Sequence, residues 1–113
     1  MNHLSTHILD LARGKPAAGV PVRLERHDAS GGWVAVHSDR TDADGRCGQL
    51  LPQGDFSAGR YRLVFDTASY FRGCSVEALY PVVEVTFEVR EGDSRFHIPL
   101  LLSPNGYTTY RGS

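Results

Sequence analysis

Five histidines are spread through this 113-residue chain, and the positions of two of them are informative. Histidine titrates closest to neutral pH, so it is the side chain best suited to moving a proton there. In LSTHILD, alternation puts Leu4, Thr6 and Ile8 on one face and His7 opposite, with Ser5 and Leu9. In RFHIPLLL, Phe96, Ile98, Leu100 and Leu102 share a face, and His97 lies on the other with Arg95, Pro99 and Leu101. Both imidazoles thus project from the non-core faces of two strands. Either one alone reads as a surface histidine. As a pair they are candidates for general-base chemistry. The stretch GYTTYRGS adds a phenol at Tyr110 and a guanidinium at Arg111. Ser113 adds a hydroxyl beside the carboxylate of the last residue.

Other chemistries find less support. His3 and His7 are four apart, but the segment does not read as a helix. HExxH and CxxC are both absent, and a zinc site needs three or four ligands. DADG, Asp42 to Gly45, looks like part of a calcium loop. Aligned on the glycine, however, the first ligand position falls on Arg40 and the twelfth on Leu51, so the segment is read as a turn. Cys47 and Cys74 are far apart and have no base in their neighbourhood of sequence. They are read as free, structural thiols in a reducing compartment. There is no GxSxG elbow and no glycine-rich phosphate loop. The expectation is an active site without metal or cofactor.

These residues must be held by strands. VPVRLER alternates Val20, Val22 and Leu24 against Pro21, Arg23 and Glu25. Residues 28–32 form a hairpin loop leading into a strand over Trp33–Ser38. RYRLVFD, VVEVTFEV, RFHIPLLL and YTTYR continue the pattern, while TASYFRGCSVEALYP breaks it and predicts a short helix over Ala68–Gly73. Close strands with Gly and Pro turns predict an all-β two-sheet sandwich, with one domain over residues 1–113. A net charge of −1 with scattered arginines argues against nucleic acid or an anionic membrane as partner. No apolar run reaches the ~20 residues of a membrane helix. MNHLSTHILD has no basic stretch followed by an apolar one, which predicts a cytoplasmic protein; a targeting segment removed beforehand would leave the same sequence.

Three blocks in order, LSTHILDLARGKPAAGVPVRL, TDADGRC and FHIPLLLSPNGYTTYRGS, resemble the 5-hydroxyisourate hydrolase family, the transthyretin-related enzymes of urate breakdown. The resemblance spans residues 4–113, and YRGS is its most specific part, because it separates the hydrolases from transthyretin hormone carriers of the same fold. GxPVxL, TDADGR and GRYRLVF are shared more widely, with other prealbumin-like sandwich modules. The resemblance implies a transthyretin-like sandwich of about eight strands with one short helix. It also implies a homotetramer, a dimer of dimers, with active sites in the groove between dimers. In that assembly a second subunit would cover outward apolar residues such as Pro99 and Leu101.

By position, His7, His97 and Ser113 correspond to the family's catalytic residues. Arg46, Tyr110, Arg111 and Gly112 correspond to its substrate-binding residues. The implied reaction is hydrolysis of 5-hydroxyisourate to 2-oxo-4-hydroxy-4-carboxy-5-ureidoimidazoline, with either histidine as the base. No cofactor or metal is implied, because the ring carbonyl is already electrophilic. A non-catalytic transthyretin-like carrier is the alternative, and a structural or adhesion module is a third.

Overall fold

Strict alternation is visible along strand β1 (His3–Asp10): Leu4, Thr6, Ile8 and Asp10 are buried and the residues between them half-buried. The same period builds the rest of the chain, seen here in a computed structural model that describes residues 2–51 and 56–113. One sheet has the order β2 (Lys15–Pro16), β1, β8 (Arg95–Ser103), β9 (Gly106–Thr109), and β5 (Arg46–Cys47) also pairs with β1. The second has the order β4 (Trp33–Arg40), β3 (Pro21–His27), β6 (Gly59–Phe65), β7 (Val83–Val89). Among the described residues two of these strands, β2 and β5, are only two residues long. The seven longer strands carry the sandwich, close to the eight that were expected.

The apolar faces meet between the sheets. Leu4, Ile8, Leu100 and Leu102 come from one side and Leu24, Leu63, Phe65 and Val83 from the other, all essentially without solvent contact. Each fully buried side chain of this kind contributes at most ~1.5–3 kcal/mol. The hairpin over 28–32 forms as expected, because Asp28 Oδ1 accepts from the N–H groups of Ser30 and Gly32 at 3.1 and 3.0 Å. The strand after it runs two residues further than predicted, to Arg40.

The helix α1 (Thr67–Gly73) begins one residue before the predicted start. Asp66 caps it, its Oδ1 accepting from Ser69 N at 3.1 Å. Seven residues are too few for a stable helix on their own. Phe71 anchors the segment by entering the core.

Two details differ from the sequence reading, and both touch the site. The final strand ends at Thr109 rather than at Arg111. The chain then leaves the sheet and returns at Gly112 to bridge His97. Pro99 is already buried within the chain, so of the two outward apolar residues only Leu101 keeps partial exposure. Among the described residues no helix is long and apolar enough to cross a membrane.

Candidate active site

β1 and β8 run side by side in parallel, and their register places Ser5 opposite His97 and His7 opposite Pro99. On the other side of β1, the short strand β5 places Arg46 opposite His7. Two residues far apart in sequence thereby flank β1 on the face that alternation leaves outside the core. Neither the parallel pairing of β1 with β8 nor the short pairing of β1 with β5 is revealed by strand periodicity alone.

Arg46 is held by the turn that precedes it. Asp42 Oδ1 accepts from the N–H groups of Asp44 and Arg46 at 2.9 and 3.0 Å, and Gly45 N–H donates to Asp42 O. Gly45 adopts φ +77°, and a Cβ there would strike the carbonyl oxygen of Ile8. The turn is thus pressed against β1, which sets Arg46 beside His7. It also supplies a partner for His7, whose Nε2 lies 2.9 Å from Asp44 O. A carbonyl only accepts, so Nε2 carries the proton and Nδ1 is left as the free nitrogen of the neutral ring.

His97 is fixed at both ends. Its Nδ1 lies 2.8 Å from Ser5 Oγ, and its carbonyl accepts from Gly112 N at 2.7 Å. Gly112 passes so close that a Cβ would sit 2.6 Å from His97 Cδ2 and 3.3 Å from its carbonyl oxygen. Only glycine fits there. Burial holds the His97 pKa below the ordinary histidine value, and electrostatic coupling to its neighbours His7, Arg46 and His3 adds to the effect. The ring is therefore neutral, and able to accept a proton, at neutral pH.

Arg111 anchors the last residues. Its Nη2 donates to Arg95 O at 3.1 Å, and its guanidinium lies 4.3 Å from the centroid of Phe96. Arg46, His97, Arg111, Gly112 and Ser113 line a single cavity of about 490 Å³. His3, Ser5, Arg95 and Phe96 complete the wall, and alternation had singled out none of the four as a site residue. Ser5 was nonetheless legible in part, as the residue two before His7 on the same face. Tyr110 sits elsewhere, 54% exposed and lining an adjacent apolar groove with Val85, Phe87 and Ile98.

Cys47 is buried beneath this region, and its thiol is pushed up to about 12, by burial first and then by the charges of Asp39 and Asp42. It is not a thiolate nucleophile near neutral pH. Both cysteines are free, and Cys74 Sγ accepts from Arg13 Nη1 at 3.2 Å. Among the described residues no group of three or more His, Cys, Asp or Glu side chains is placed to hold a metal. The cavity offers a neutral imidazole, guanidinium groups and a serine hydroxyl, while the second imidazole, His7, with one nitrogen committed, is not among the lining residues and sits in register beside Arg46. That set suits activation of water and stabilisation of an oxyanion.

Comparison with known proteins shows which family this chain resembles. The model of the HIUase/Transthyretin family matches residues 4–112. A 5-hydroxyisourate hydrolase of Mus musculus is 46% identical over 111 residues, covering 97% of this chain and 94% of that protein. Among solved structures, the 5-hydroxyisourate hydrolase of Klebsiella pneumoniae superposes with a TM-score of 0.88 at 36% identity, over 100% of both chains. The transthyretin of Sparus aurata superposes with a TM-score of 0.92 at 35% identity, over 99% of this chain and 97% of that one.

Proposed function

This chain belongs to the HIUase/transthyretin family, and from that premise we propose that it hydrolyses 5-hydroxyisourate, with the cavity of His97, Arg46 and Ser113 as its active site. The observation that carries the proposal is convergence. Residues 46, 97 and 111–113 come from separate parts of the chain and line one cavity, with His7 in register beside Arg46. Backbone likeness does not separate a hydrolase from a carrier, since both superpose on this chain with high scores. The side chains do separate them. A carrier that holds its ligand without turnover has no need of a neutral histidine gripped at Nδ1 and at its backbone carbonyl beside an arginine.

The reaction opens a six-membered ring at a cyclic amide. A water molecule loses a proton to a histidine as its oxygen bonds to the ring carbonyl carbon. The carbonyl oxygen takes up negative charge in the tetrahedral intermediate. The C–N bond then breaks, the histidine returns the proton to the departing nitrogen, and the new carboxyl group ionises. His97 takes the role of base, because it is neutral and faces the cavity. His7 orients the water or substrate through Nδ1. Arg46 stabilises the developing oxyanion with its planar fork of donors. Arg111 and Gly112 place Ser113, whose hydroxyl binds water or substrate. In the free chain Tyr110 stands outside the cavity, so its contribution to substrate binding depends on assembly.

That assembly is a homotetramer, a dimer of dimers, with the cavity opening into the groove between dimers. Two features support it. Strands β7 and β9 end their sheets with one described partner each. Exposed Leu79, Tyr80, Val82, Tyr107 and Tyr110 form an apolar contribution on or beside these edges.

The test is substitution. His97→Asn lowers turnover of 5-hydroxyisourate by about 10²–10⁴-fold, the usual worth of general-base assistance, and His7→Asn, which removes an orienting group, also lowers it. Their melting temperatures stay within a few degrees of the parent. Near-normal rates from both variants would contradict the assignment.

A further inference from the structure

Ser5 is not among the site residues that the family resemblance implies. It lies on β1 directly across from His97 on β8, half-buried in the cavity wall, with its Oγ 2.8 Å from His97 Nδ1. A hydroxyl can either donate to or accept from a ring nitrogen, and the two choices have opposite consequences. If Ser5 donates, the proton of the neutral ring sits on Nε2 and His97 can only donate into the cavity. If Ser5 accepts, Nδ1 carries the proton and the Nε2 lone pair is free to take one.

We propose that Ser5 is a positioning residue that accepts a hydrogen bond from His97 Nδ1–H, fixing the tautomer in which Nε2 is the base. The proposal rests on the hydrolase reading above for its consequence in turnover, but not for the hydrogen bond itself. Two points favour the accepting role. First, a base that receives a proton at Nε2 becomes an imidazolium, in which Nδ1 must donate. A hydroxyl that already accepts serves both states without turning. Second, a serine holds the ring without adding charge. A carboxylate in its place would favour the imidazolium and work against the burial and positive neighbours that keep the ring neutral. The ring is then gripped at three places: Nδ1 by Ser5, the backbone carbonyl by Gly112 N–H, and the Cδ2 edge by the close passage of Gly112.

Ser5→Ala and Ser5→Thr test the proposal, with two readouts. The first is independent of substrate: long-range 15N–1H correlation spectra of the imidazoles. In the parent protein near pH 8, His97 shows the Nδ1–H tautomer. In Ser5→Ala it shifts toward a mixture of tautomers, and in Ser5→Thr, which keeps the hydroxyl, it returns. The second is kinetic. Ser5→Ala lowers kcat about tenfold, the worth of one hydrogen bond to a group that becomes charged, with KM within about twofold, and Ser5→Thr restores kcat. The Nε2–H tautomer in the parent, or nitrogen shifts unchanged by Ser5→Ala, would overturn the proposal. So would an unchanged kcat in Ser5→Ala. Failure of the parent to turn over 5-hydroxyisourate would instead overturn the hydrolase reading, and the spectra would still decide the role of Ser5.

Discussion

His97 has a lowered pKa because burial disfavours the imidazolium and because electrostatic coupling to His7, Arg46 and His3 opposes a further positive charge. The sign of the effect sets a pH dependence. With His97 as the proposed base, turnover requires the neutral ring, so the rate is held at neutral pH and is lost as pH falls through the lowered pKa. The acid limb of kcat/KM, and the NMR titration of the His97 ring protons, therefore have midpoints below the ordinary value of about 6.5. In Arg46→Ala one positive neighbour is gone, and the NMR midpoint moves up. A parent midpoint at or above 6.5 would contradict this account. At this scale the sequence was informative about which side chains leave the core, since alternation alone put His7 and His97 outside. It said less about their partners. Asp44 O, which commits His7 Nε2, and Ser5, which meets His97 Nδ1, are contacts made by the fold.

The elements explain why those partners come together. The parallel pairing of β1 with β8 and the two-residue pairing of β1 with β5 bring residues 5, 7, 46 and 97 onto one face. Strand periodicity marked β1 and β8 but not their adjacency, because pairing between distant segments leaves no local trace. A strand as short as β5 has no period to detect. Its turn, in contrast, was legible from the residues, because Asp42 and Gly45 are the types that such a turn requires. Gly45→Ala tests the coupling between turn and site. The positive φ and the clash with Ile8 O cost more than ~1 kcal/mol of stability. Because the turn carries Arg46, kcat/KM falls by more than the loss of folded protein explains. Urea titration together with initial rates separates the two effects, and a variant with parent stability and parent rate would show that the turn does not position Arg46. The last strand was read two residues too long for a related reason. Tyr110 and Arg111 alternate acceptably, but Gly112 must reach the His97 carbonyl, and that draws the chain out of the sheet after Thr109.

For the whole molecule, the sandwich class and the helix over α1 were readable from patterning, because a two-sheet core demands period 2 and a capped helix breaks it. The face expected to meet another subunit was harder to read, since Pro99 proved to be covered within its own chain. The edges at β7 and β9 and the exposed tyrosines beside them carry the assembly proposal instead. Light scattering coupled to gel filtration is expected to give four times the chain mass at micromolar concentration, and a monomeric mass would remove the proposed groove. We propose the cavity on β1, β5 and β8 as a hydrolase site rather than a carrier's surface. The most direct test follows the ultraviolet absorbance of freshly generated 5-hydroxyisourate after the protein is added. Decay well above the spontaneous rate, proportional to protein concentration and lost in His97→Asn, is expected. Decay at the spontaneous rate with folded protein present would contradict the proposal and favour the carrier reading.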